Sequence, residues 1–197
     1  MPSFPLSIAF RILTIHPQMV VREAGGAVLG YVRQSLWAFK EAVTVYEDET
    51  MAREIYKINA DRVIDFNANY AISTPSGADI GHVRRHGMKS LWRASYDIVG
   101  PGGGGDAFHV TEKSPLVRLL DGLIGEIPII GLLTGYFLQP VYFVSRIGGS
   151  QVLTMTKQRS LLEAHFAIEQ NAPLDDAERE RLLLGLMMII LLERARG

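Results

Sequence analysis

The chain reads as a mainly β fold closed by one C-terminal helix: an antiparallel barrel of about 10–12 strands enclosing a central, hydrophobic α-helix. Three observations carry that reading. Residues 182–192 (LLLGLMMIILL) are apolar on every helical face, so the helix they form has to be surrounded rather than laid on a surface. Short strand-like runs separated by turn residues fill most of residues 28–170. The composition, 48% hydrophobic and 21% charged over 197 residues, is enough to bury a sizeable core as one globular domain.

Taken in chain order, residues 1–26 are set apart as an N-terminal extension, and the barrel domain is expected over 27–197. The opening MPSFPLSIAFRILTIHPQ lacks a basic start and carries Arg11 inside its short apolar run, which argues against a signal peptide. The clearest alternation lies in 90–99, where Trp92, Ala94, Tyr96 and Ile98 face one way and Arg93, Ser95 and Asp97 the other. Similar runs occupy 32–34, 42–47, 53–59, 69–74, 79–86, 108–113, 141–147, 151–157 and 164–169. Pro75-Ser76-Gly77, residues 100–105 and Gly148-Gly149 supply turn chemistry between them.

Two stretches break the strand pattern. After Pro115, which suits a first helical turn, residues 116–138 are too rich in apolar residues and glycine for a strand. Leu116, Leu119, Leu120 and Leu123 sit at helical spacing. Arg118, Asp121 and Glu126 argue against a membrane-inserted hairpin, and an amphipathic helix with a loop over one barrel end is expected. The second break is a helix over about 175–195, in which Leu182, Leu183, Leu186, Met187, Ile189 and Ile190 form the buried centre. Asp175 or Asp176 is placed to cap it, with Glu178 in its first turn and Arg194 and Arg196 at its negative pole. Eleven helical residues cover roughly 16 Å, about half of a ~30 Å bilayer core, so no transmembrane segment is expected. Enclosing a helix about 10 Å across needs a barrel wider than eight strands. A helix packed under a two-sheet sandwich is the alternative architecture.

Chemistry is sparse. A formal net charge of −1 gives no global attraction to nucleic acid or anionic membrane. Zero cysteines exclude thiolate catalysis and cysteine-ligated metals and fit a reducing cytoplasm. Among His16, His82, His86, His109 and His165, only His82 and His86 share a strand face at short spacing, a zinc pair in geometry and, more simply, two exposed histidines. Residues 102–105 lack a following Lys-Ser/Thr and read as a flexible hairpin loop rather than a phosphate cradle. Glu47, Asp48 and Glu49 read as a solvated turn. There is no Gly-x-Ser-x-Gly nucleophile elbow, and no catalytic residue, metal or cofactor is assigned. The one local concentration of charge is His82, Arg84, Arg85, His86, Lys89 and Arg93, interleaved with Met88, Leu91 and Trp92. These basic groups suit phosphate oxygens, and the apolar neighbours suit insertion among headgroups. Alternatively, the same side chains balance acidic ones nearby.

The order of segments YVRQSLWAFKEAVTVYEDE, YKINADRVIDFNANYAISTPSGADIGHVRRHGMKSLWRASYDIV, FHVTEKSPLVRLLDG, PVYFVSRIGGSQVLTMTKQRS and HFAIEQ before the apolar helix resembles the LURP-one-related family. That family is similar to the tubby C-terminal domain and to phospholipid scramblases. The resemblance spans about residues 31–196. It rests on a Tyr-x-Ile-x-x-Pro-x-Gly-x-x-Ile-Gly element from Tyr70 to Gly81, a Tyr-x-Val-x-Arg-x-x-Gly element from Tyr142 to Gly149, and the final helix. It implies a tubby-like barrel around a central helix, and a cytoplasmic, peripherally membrane-associated protein that binds an anionic phospholipid or phosphoinositide headgroup. A protein-interaction or scaffold module using residues 127–137 is the second expectation. Scramblase-like activity fits less well, because palmitoylatable cysteines, a Pro-rich arm and an Asp-x-Asp-x-Asp-Gly calcium loop are missing. An enzyme site hidden in a barrel-end pocket has no motif in its favour.

Overall fold

The computed structural model describes residues 2–11, 16–33, 42–61, 68–86, 95–113, 140–158 and 163–194. Twelve strands follow one another around a closed antiparallel barrel: β1 (Leu6–Arg11), β2 (Gln18–Glu23), β3 (Val28–Arg33), β4 (Ala42–Tyr46), β5 (Glu54–Ala60), β6 (Asn69–Ser73), β7 (Asp79–Arg85), β8 (Ser95–Val99), β9 (Ala107–Lys113), β10 (Val141–Arg146), β11 (Gln151–Gln158) and β12 (Glu163–Gln170). Every strand neighbours the ones before and after it in sequence, and β1 shuts the ring against β12 with Ile8 opposite Phe166. Among the described residues, closure leaves no strand edge unpaired for another chain to join. Strand direction alternates strictly, so the connections β2–β3, β4–β5, β6–β7, β8–β9 and β10–β11 gather at one rim. This is the near rim, where the chain also leaves β12 to start the helix. The opposite end of the barrel is the far rim.

Alternation decides which side chains enter the barrel. Leu6, Ile8 and Phe10, Tyr70 and Ile72, Tyr96 and Ile98, and Tyr142 and Val144 all point inward and are buried, while the residues between them face out. The lumen they surround is filled by α1 (Asp176–Arg194). Every residue from 181 to 192 is buried, and each large apolar side chain there contributes on the order of 1.5–3 kcal/mol over an exposed position. The helix begins with a capping box: Asp175 Oδ1 accepts the Glu178 N–H at 2.8 Å, and Glu178 Oε2 accepts the Asp175 N–H at 2.9 Å. No helix among the described residues is long and apolar enough to cross a membrane.

The helix runs closest to β6, β7 and β8, and two glycines permit that approach. A Cβ on Gly185 would lie 2.6 Å from Ile98 Cδ1. At Gly81, whose φ of 148° already disfavours a side chain, a Cβ would lie 2.4 Å from the Val99 carbonyl oxygen and 2.7 Å from Arg181 Cδ. Polar contacts fix the helix at both rims. Near its start, the Arg146 guanidinium donates to the buried Glu178 carboxylate and lies 5.1 Å from the Phe108 ring centroid, while Arg181 lies 5.8 Å from the same ring. Tyr56 donates to Glu180, and Tyr96 to Glu193 toward the far rim. Burial first, and the Glu180 carboxylate second, push the Tyr56 hydroxyl far above its ordinary value.

The barrel-around-a-helix architecture matches the expectation from sequence, and the sandwich alternative falls because the sheet closes on itself. The N-terminal boundary needs correction. Residues 6–11 and 18–23, inside the span set apart as an extension, belong to the barrel, since β1 and β2 are two of its twelve strands and β1 closes it against β12. The physical reason is their patterning: Leu6, Ile8 and Phe10 alternate, and Met19 and Val21 pack on the same core. The apolar segment 116–138 lies outside the described residues.

Candidate functional site

β7 runs from the near rim to the far rim and carries most of the basic cluster. Gly81 and Val83 point into the barrel, so His82 and Arg84 point out. His86 follows the strand, its backbone N–H donating to the Ser95 carbonyl at 3.0 Å. Arg85 departs from the expected patch. It stands opposite the inward-facing Tyr96 and is half-buried at the far rim. There it opposes the rise that burial imposes on the neighbouring Tyr70 hydroxyl. Lys89 and Arg93 lie outside the described residues.

The outward groups are tied to acids and to backbone. His82 Nε2 is 3.2 Å from Asp79 Oδ2, and its Nδ1 is 3.4 Å from Asn69 Nδ2. Asp79 also accepts the Gly102 N–H at 2.7 Å and the Gly81 N–H at 2.9 Å. Burial acts to raise the Asp79 carboxyl, but the Gly102 N–H, His82 and the Gly81 N–H together outweigh it and hold the group below its ordinary value. Arg84 Nη2 donates to the Gly103 carbonyl at 3.1 Å. Gly103, at φ 74°, leaves the space that this guanidinium occupies, because a Cβ there would sit 2.2 Å from Arg84 Nη2. The glycine loop expected as a flexible hairpin loop does join the β8–β9 hairpin, with a 3₁₀ turn, Pro101–Gly103, tied to β7 by two side chains.

Two residues outside the expected basic patch complete the face. Asp97 on β8 stands opposite Arg84 on β7 and opposite His109 on β9, and His109 stands opposite Ser145 on β10. His109 Nδ1 is 2.6 Å from Asp97 Oδ1, and His86 Nε2 is 2.7 Å from Asp97 Oδ2. The two imidazoles meet edge to face with centroids 5.7 Å apart. These nitrogen and oxygen atoms all lie within 4.8 Å of one another, a spacing that suits a metal ion. Ser145 makes no hydrogen bond to His109 among the described residues, so the nucleophile–base contact of acyl-transfer chemistry is lacking. His82 and His86, the pair suggested by spacing along β7, each face a different carboxylate instead of a shared centre.

Among the described residues, two cavities lie beside the helix. One, of about 200 Å³, lies between α1 and β3–β5 against Leu29, Val45, Tyr56 and Met187. The other, of about 230 Å³, lies toward the far rim against Tyr142, Phe166, Ile190 and Glu193. Both fall below the ~300–1,000 Å³ typical of small-molecule sites, and the helix occupies the space a wider barrel would offer a ligand. Searches against protein-family models, curated proteins and solved structures return no match for this chain.

Proposed function

We propose that the chain is a non-enzymatic binding protein of the LURP-one-related and tubby-like type, whose ligand is an acidic phospholipid headgroup met on the outer face of β7. The observation that carries this reading is the placement of Arg84. It is exposed, it faces outward, and the Gly103 carbonyl engages one nitrogen of its planar fork, which leaves the other N–H groups for phosphate oxygens. The filled lumen supports recognition on an external face rather than inside the barrel. His82 and His86 add little charge here because Asp79 and Asp97 oppose them. Arg84 therefore leads, with Lys89 and Arg93 following in the chain beside the apolar Met88, Leu91 and Trp92.

Cosedimentation with vesicles tests the proposal. Binding should rise as phosphatidylserine or a phosphoinositide replaces phosphatidylcholine, and fall with salt. At about 1 kcal/mol per basic residue near an anionic surface, Arg84→Gln with Lys89→Gln should weaken partitioning roughly 30-fold. Binding that ignores lipid charge, or that survives this double substitution unchanged, overturns the reading.

A further inference from the structure

We infer that His86, Asp97 and His109 form a binding site for one divalent transition-metal ion on the outside of the barrel. The three donors come from three neighbouring elements, the residue following β7, the middle of β8 and the third residue of β9. The ladder sets their spacing, since Asp97 and His109 are directly opposed and the His86 backbone is hydrogen-bonded to Ser95. A donor set held by backbone pairing is already organised before any ligand arrives.

The distances suit coordination. A tetrahedral ion with bonds of about 2.0–2.2 Å holds its ligand atoms roughly 3.3–3.6 Å apart. The two histidine nitrogens now lie 2.6 and 2.7 Å from the Asp97 oxygens, and all three donors fall within 4.8 Å of one another. Small side-chain rotations therefore open room for an ion between them. His86 Nε2 is removed from solvent and faces the Asp97 carboxylate at 2.7 Å, so it is turned toward the other donors rather than toward water.

The donor chemistry narrows the metal. Two imidazoles and one carboxylate suit zinc, iron(II), nickel or copper(II), whereas calcium and magnesium require oxygen ligands throughout. Three protein ligands leave at least one position to water or to an external oxygen ligand on the solvent side. His82 is excluded from the set because its Nε2 faces Asp79.

Zinc is the probe. Tag-free full-length chain, stripped with chelator and titrated with zinc by calorimetry, should bind one equivalent saturably at micromolar or lower concentration, with binding weakening as pH falls because the imidazoles must be neutral. His109→Ala and His86→Ala should each lower affinity at least 10-fold, and His82→Ala should leave it within 2-fold. His86 lies beyond the last residue of β7, so its substitution leaves the strand ladder intact, and circular dichroism checks that each variant keeps the wild-type spectrum. Saturating zinc should raise the melting temperature of the wild type and of His82→Ala but not of His109→Ala. No saturable one-equivalent binding, or wild-type affinity in both His86→Ala and His109→Ala, overturns the inference and leaves a His–Asp–His ion-pair cluster only.

Discussion

Replacing Gly185 by alanine sets two effects of known size against each other. In an exposed helix, glycine to alanine stabilises by about 0.8–1.0 kcal/mol. In this barrel the new Cβ would stand 2.6 Å from Ile98 Cδ1, 2.9 Å from Cγ1 and 3.1 Å from Cγ2, against a carbon–carbon optimum of about 3.5–4.0 Å. Ile98 is fully buried and, being β-branched, is stiff at χ1, so relief requires a shift of the barrel wall or of the helix. Overpacking of this kind costs about 1–3 kcal/mol. Three close atoms on one stiff side chain place Gly185→Ala at the upper end, for a net loss of about 2 kcal/mol. Urea unfolding should show a lower midpoint at unchanged slope. Ile98→Val alone should cost about 0.5–1.5 kcal/mol. Because it removes Cδ1, the closest atom, it should cost less or nothing in the Gly185→Ala background, a coupling near 1 kcal/mol. A Gly185→Ala protein that gains about 1 kcal/mol, additive with Ile98→Val, would mean that the helix does not lie against β8.

Other outcomes follow from the same packing. The Arg146 hydrogen bond holds the buried Glu178 carboxyl below its ordinary value of 4.5 despite burial, with help from the Asp175 N–H. Its contribution is therefore complete above about pH 4.5 and is lost as pH falls from there through the lowered folded value. Glu178→Gln should cost about 1.5 kcal/mol at pH 7, the low end for a charge-assisted bond because Arg146 is partly exposed. It should also flatten the loss of stability below pH 4.5 in thermal melts, and an unchanged acid limb would contradict this. Leu186→Asp puts an unpaired carboxylate where the native side chain has no exposure. It should abolish the cooperative transition and the near-ultraviolet circular dichroism, whereas a folded variant would remove the helix from the core.

The fold was legible because its two signals are strong and local. Alternation in Tyr96 and Ile98 against Ser95 and Asp97 assigned the faces of β8 correctly, and the apolar run at 182–192 demanded enclosure. β1 was equally readable, with Leu6, Ile8 and Phe10 inward. Its place at the chain start, before the turn-bounded run of strands, sets it apart in the sequence although it closes the ring. The site was legible only in part. Parity along β7 put His82 and Arg84 outward and, read strictly, put Arg85 on the inward side. The acids that oppose the cluster come from register: Asp97 meets His109 across β8–β9, and Asp79 meets Gly102 across a loop. Hairpin lengths and bulges set that register, and hydrophobic patterning does not specify it to one residue on an outward face.

α1 is the axis of the barrel, with every residue from 181 to 192 buried inside it. Native-state amide hydrogen exchange tests this enclosure most directly. If the helix is enclosed, the amides of residues 182–192 open only when the barrel does, with the same free energy of exchange as core strand amides such as those of Ile98 and Val110. Exchange of the helix by a separate opening, several kcal/mol below that of the strands while the barrel remains protected, would contradict it.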